Sequence, residues 1–236
     1  DAKTFGTSSI MLGDATTGTI DAANYNTGLG IDVFAALTTG DNNTAVGYAA
    51  LDVNTTASNN TAVGYAALGA NTTGTANTAV GQNALLSNTT ANDNTAVGRV
   101  SLQANTTGAG NAGLGANTLL YNTTGASNAA VGAYALDANT TGGSNVGVGY
   151  AALGANTTAA NNTAIGKETL DANTTGASNT AVGQGALGAN TTASWNTAAG
   201  NGALAANTTG TQNVAVGGNA LNDAVTVNNN SAIGYD

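Results

Sequence analysis

Apolar and polar residues follow a fixed order between Asn60 and Ala76, Asn-Thr-Ala-Val-Gly-Tyr-Ala-Ala-Leu-Gly-Ala-Asn-Thr-Thr-Gly-Thr-Ala, and Asn77 begins the order again. The period is seventeen residues. An aliphatic column runs Leu12, Leu29, Val46, Val63, Val80, Val97, Leu114, Val131, Val148, Ile165, Val182, Val216 and Ile233, with Ala199 its one weak point, and a leucine column runs from Leu51 to Leu221. Beside the aliphatic residues stands a glycine column, Gly47, Gly64, Gly81, Gly98, Gly115, Gly132, Gly149, Gly166, Gly183, Gly200 and Gly217, which Gly13, Gly30 and Gly234 extend. Four residues before those glycines come Asn43, Asn60, Asn77, Asn94, Asn111, Asn128, Asn145, Asn162, Asn179, Asn196 and Asn213. Columns held in register without insertion mark a repeat architecture, whose units bury apolar surface against their neighbours.

Seventeen residues are too few for a helix pair, since helical repeats need about twice that length. They suit two short strands of about five residues and two turns. Alternation along Asn60 to Gly64 puts Thr61 and Val63 on one face and Ala62 and Gly64 on the other. The valine face is expected to point inward, with Leu68 and Ala70 as a second inward set. The chain is thus expected to be all-β, a parallel β-solenoid (β-roll) of about fourteen coils, one per column glycine. At roughly 4.8 Å per coil the stack would be about 65 Å long. Identical asparagines one above another are expected to hydrogen-bond along it as a structural ladder.

Residues 1–8, with Lys3 and Phe5, read as an N-terminal cap or junction, and 9–236 as a single repeat domain without a linker. Phe34 and Leu37-Thr38-Thr39-Gly40 make the first repeats divergent, and Asn222-Asp223-Ala224-Val225-Thr226-Val227 departs again near the other end. Ser9 to Gly13 and Ser231 to Gly234 nevertheless keep the strand pattern. Two uncapped ends are expected to invite head-to-tail stacking.

Composition alone describes a low-complexity polar tract, but disorder gives no reason for columns of Val and Leu. Twelve acidic residues against three basic ones exclude a phosphate-neutralising surface, so no nucleic-acid partner is expected. There is no apolar run long enough for a membrane-spanning helix. Without His or Cys, and with one Glu, Glu168, beside Lys167, the chain lacks the usual tuned nucleophiles and bases. No enzyme activity, cofactor or metal site is expected. Gly183 to Gly188 matches a dinucleotide glycine pattern, yet the repeat itself generates it.

An Asn-Thr-Thr block begins at Asn54, Asn71, Asn88, Asn105, Asn122, Asn139, Asn156, Asn173, Asn190 and Asn207. These read as candidate glycosylation acceptors or, preferably, as turn chemistry in which the side chains bond the local backbone. Thr56 and its copies to Thr209 form one threonine file without a second beside it, which leaves ice binding as a minor alternative. Tyr48, Tyr65, Tyr150 and Tyr235 share a variable position suited to solvent or a subunit contact, and Trp195 is either locally packed or an exposed carbohydrate platform.

The unit Asn-Thr-Ala-Val-Gly-Tyr-Ala-Ala-Leu-x-Ala-Asn-Thr-Thr-Gly resembles the repeats of phage and prophage tail-fibre proteins and related bacterial surface proteins. More distantly, Asn-x-x-x-Gly with an aliphatic residue before the glycine is similar to the head repeats of trimeric autotransporter adhesins, from which the seventeen-residue period departs by its length. That resemblance implies a left-handed β-roll, three chains side by side and a role in surface attachment. The expected function is a structural subunit of an extracellular fibre or filament that assembles with itself. The alternative is an adhesive or receptor-binding module on a virion or cell surface, with cell-surface carbohydrate as a partner.

Overall fold

The computed structural model describes residues 2–3, 10–12 and 22–235. It contains two compact units, Asp1–Ala116 and Asn117–Asp236. In the first unit the strands are β1 (Ala2–Lys3), β2 (Ile10–Leu12), β3 (Thr27–Leu29), β4 (Thr44–Val46), β5 (Thr61–Val63), β6 (Thr78–Val80), β7 (Thr95–Val97) and β8 (Ala112–Leu114). In the second they are β9 (Ala129–Val131), β10 (Val146–Val148), β11 (Thr163–Ile165), β12 (Thr180–Val182), β13 (Thr197–Ala199), β14 (Val214–Val216) and β15 (Ser231–Ile233). Each unit is a parallel β-solenoid with one coil per seventeen residues. Within a unit every strand lies on its own copy one period away, Thr61 opposite Thr78, Ala62 opposite Ala79 and Val63 opposite Val80, and likewise Thr163, Ala164 and Ile165 opposite Thr180, Ala181 and Val182.

The strands are only three residues long, and each coil has one of them instead of the two expected. Turns supply the rest. Their backbone groups still bond from coil to coil, as in Leu68 N–H to Ala84 O at 3.0 Å and Thr72 N–H to Thr89 O at 2.9 Å. Ala66 and Leu68 hold positive φ angles of 50° and 52°, which wind the chain tightly enough to return within one period. A left-handed residue with a Cβ costs roughly 1–2 kcal/mol. The complete burial of Leu68 and of its copies from Leu51 to Leu204 offsets that cost.

The valine face points the other way from the expectation. Ala62 is fully buried, while Thr61 and Val63 are half-exposed. The same pattern holds in the second unit, where Ala164 is buried and Ile165 is exposed. Volume decides the sign: at Gly147, the inward position of β10, an added Cβ would already lie 3.1 Å from Ala152 O and 3.4 Å from Leu136 Cδ1. Ala or Gly fits there and a branched side chain does not. Ala67, and not Ala70, joins Leu68 in the core, because the two left-handed residues turn consecutive side chains inward where a strand would alternate them.

The column glycines are explained by a close approach. Gly64 has φ +137°, and a Cβ on it would stand 2.5 Å from Gly81 O in the next coil. The expected open N-terminal edge is also corrected, because β1 runs antiparallel along β2, pairing Ala2 with Leu12 and Lys3 with Met11. Two residues thus occupy the outer hydrogen-bonding edge of that strand, reversing chain direction where another parallel coil would otherwise attach. Asp1, Thr4 to Ser8, Ser9 and Gly13 lie outside the described residues.

Candidate functional site

Polar side chains line the interior of the coils as two ladders. In the first, the Asn60 side chain accepts through Oδ1 from the Asn77 backbone N–H at 3.0 Å and from Asn77 Nδ2 at 3.3 Å, while its own Nδ2 donates to Gly74 O at 2.9 Å. Asn145 does the same in the second unit, accepting from Asn162 N–H and donating to Ala159 O. The expected side-chain ladder is therefore largely a side-chain-to-backbone one, and it secures the entry to each strand.

The second ladder consists of the Asn-Thr-Thr asparagines. Asn88 Nδ2 donates to Asn71 Oδ1 at 3.0 Å and Asn105 Nδ2 to Asn88 Oδ1 at 2.9 Å. In the second unit Asn139, Asn156, Asn173, Asn190 and Asn207 continue the pattern, each donating to the Oδ1 one period before it. The remaining Nδ2 proton goes to a carbonyl three residues on, such as Gly74 O from Asn71. All ten asparagines, Asn54 to Asn207, have no exposed surface. In the folded protein their amides are out of reach of a sugar-transferring enzyme, and their partners lie in adjoining coils as much as in the local turn. Asn-x-Thr reads the same in the core as on a loop, so spacing alone could not have placed them.

Around the ladders hydroxyls of the next column donate to a carbonyl one period on, as in Thr72 Oγ1 to Thr89 O at 3.1 Å. Among the described residues two buried side-chain oxygens lack a hydrogen-bond partner, Asn83 Oδ1 and Asn207 Oδ1. Asn207 Oδ1 lacks one because Ala224 stands where the next asparagine of the ladder would be.

The outer surface carries two parallel files on the strands. One is Thr27, Thr44, Thr61, Thr78 and Thr95 in the first unit and Thr163, Thr180 and Thr197 in the second. The other is the aliphatic column, with Val97 38%, Ile165 41% and Val182 41% exposed. Neither file contains a charged residue. Elsewhere on the surface the Tyr48 and Tyr65 rings stack at 5.4 Å, and Tyr134 meets Tyr150 edge-on at 5.9 Å. Trp195 is two-thirds exposed, which removes the local-packing reading for it. Lys167 and Glu168 form an exposed ion pair at 3.4 Å.

Three half-buried carboxyls, Asp52, Asp137 and Asp171, have pKa values raised chiefly by burial. A shallow depression of about 410 Å³ beside Asp52 is lined by Ala49, Val53, Ala66, Gly69, Leu86 and Ser87. Among the described residues no three His, Cys, Asp or Glu side chains are grouped to hold a metal, and no helix is long and apolar enough to cross a membrane. Gly183 to Gly188 follows β12 without a helix after it, so there is no helix N-terminus to receive a pyrophosphate. No protein-family model matches the chain, and a search of curated proteins finds no relative of it.

Proposed function

We propose that the chain is a structural subunit of an extracellular fibre or filament, a stiff repetitive shaft that associates side by side with copies of itself. The observation that carries this reading is the outward turn of the aliphatic column. Val97 and Leu114 in the first unit, and Ile165 and Val182 in the second, stand half in water on uncharged strand faces, and such files are covered in assemblies more often than left bare. Each unit of apolar area covered contributes about 25 cal/mol per Å². Flat sheet faces of this kind pack on one another about 10 Å apart. The net charge of −9 lies elsewhere on the surface, so screening by salt strengthens the association. The extracellular setting rests on the resemblance of the repeat unit to fibre and surface proteins.

Light scattering over a range of concentrations tests the reading. Wild-type protein forms oligomers or filaments that grow with salt, and the double variant Val63→Asp with Val182→Asp is monomeric while keeping its circular dichroism spectrum. Wild-type protein that remains monomeric at high concentration and high salt would refute it.

The threonine file favours a second reading. Thr27, Thr44, Thr61, Thr78 and Thr95 present hydroxyls in steps of roughly 4.8 Å beside a parallel file of methyl groups. Ordered hydroxyls and methyls on an uncharged sheet suit adsorption to ice, on a different face from the Thr56 file. Thermal hysteresis, abolished by Thr61→Lys with Thr78→Lys, is the expected result, and its absence from the wild type removes this alternative.

A further inference from the structure

Three neighbouring columns change together in the last full coil, one by adding bulk on the side of the following coil and two by removing a group that would bond to it. The first is a column of small residues, Gly74, Ala91 and Gly108 in the first unit and Gly142, Ala159, Gly176, Ala193 and Gly210 in the second, at which the chain then has Val227. A Cβ on Gly142 would stand 2.3 Å from Ala159 O in the next coil, and one on Gly210 would stand 2.2 Å from Val227 O. Ala159 and Ala193 occupy the position with 3% and 2% exposure, so a side chain in this column is roofed by the coil above. The column accommodates a methyl group, and valine adds two γ-methyls beyond it toward the place of close carbonyl approach.

The second change is Ala224, which ends the buried asparagine ladder. It gives nothing to Asn207 Oδ1 below and offers no acceptor to an asparagine above. The third is Val225 in the threonine column. Thr174, Thr191 and Thr208 each donate a hydroxyl to the carbonyl one period on, the last to Val225 O at 3.1 Å, and Val225 has no hydroxyl to pass forward. Acceptor, donor and clearance are lost at once.

The structure assigns residues 222–234 the role of a stop coil that rejects another coil of the same repeat, whether from a second copy or from appended chain. Head-to-tail stacking through this face is therefore blocked, and the small depression of about 530 Å³ bounded by Leu221, Ala224, Val227, Asn230 and Ile233 is the open side of that coil. The inference stands on the last coil alone and is independent of lateral association, so either fails without the other.

The test extends the full chain with a copy of residues 67–116, joined in register after Asp236. Three backgrounds are compared by hydrogen exchange: the native stop coil, the reverted coil Ala224→Asn/Val225→Thr/Val227→Gly, and a control with the same segment joined after Asn219 in place of residues 220–236. The control sets the protection of the segment on an ordinary coil. In the reverted background the amides of the segment's first coil reach that level, and after the native stop coil they exchange at least roughly tenfold faster. Equal protection after native and reverted coils, or protection after neither, would overturn the assignment.

Discussion

Ala224→Asn is expected to stabilise the second unit. Ala224 keeps the backbone of the ladder position, since its N–H donates to Leu221 O at 3.1 Å as Asn207 N–H donates to Leu204 O. An asparagine there would direct Nδ2 to Asn207 Oδ1, as Asn207 itself does to Asn190 Oδ1 at 3.1 Å, and its second proton to Val227 O. Relieving a buried unpaired acceptor contributes about 1–3 kcal/mol, and the second bond about 1 kcal/mol. Ordering the new side chain costs roughly 1 kcal/mol, and its own Oδ1 on the half-buried outer side is left to water. The net gain is about 1–3 kcal/mol. Stability in a solenoid is a sum of local terms, so the assay is native-state hydrogen exchange at Leu204, Ala206 and Thr208, whose amides donate to Ala220 O, Asn222 O and Val225 O. Exchange there slows about tenfold, the factor for 1.4 kcal/mol. Ala224→Leu, which adds bulk without a donor, separates the hydrogen bond from simple burial. Exchange no slower than wild type in Ala224→Asn, or equal slowing in Ala224→Leu, would refute the ladder account.

Asn128→Leu removes the acceptor for Asn145 N–H and Asn145 Nδ2 and the donor to Gly142 O, so it costs about 3 kcal/mol or more, whereas substitution of exposed Ala126 by Leu stays within about 0.5 kcal/mol; urea unfolding of both measures the difference. Val100 is a β-branched residue at φ 53° in a column where Gly185 and Gly202 hold the same left-handed conformation, and Val100→Gly gains up to about 1 kcal/mol by relieving it, read as a higher Tm. Asp137 and Asp171 have folded pKa values raised above the ordinary 3.8 by burial, so the native state holds more protons than the unfolded one across that window. Their contribution is fully present below the unfolded pKa and is lost as pH rises through the folded values. Stability measured from pH 3 upward declines through the carboxylate range, and less so in Asp137→Asn with Asp171→Asn.

Some features were legible along the chain because they are properties of one position repeated. Gly64 and its copies marked the period, and the structure adds that the reason is a neighbouring carbonyl one coil away. Leu68 and its copies marked a core column, and those from Leu51 to Leu204 are buried. Trp195 gave no such signal, since a single ring has no column to place it.

The sequence by itself determined the seventeen-residue coil, its register and its all-β parallel character, because hydrogen bonding between identical units needs only that equivalent residues recur at equal spacing. Only the tertiary structure decided which side of each strand faces in. Alternation names two faces without ranking them, and inside so narrow a coil the remaining volume admits Ala62 and excludes Val63. It also decided that Asn54 to Asn207 lie within the core, since an amide meets its hydrogen-bonding needs equally well in water or against another amide, and only the packing of successive coils selects between the two.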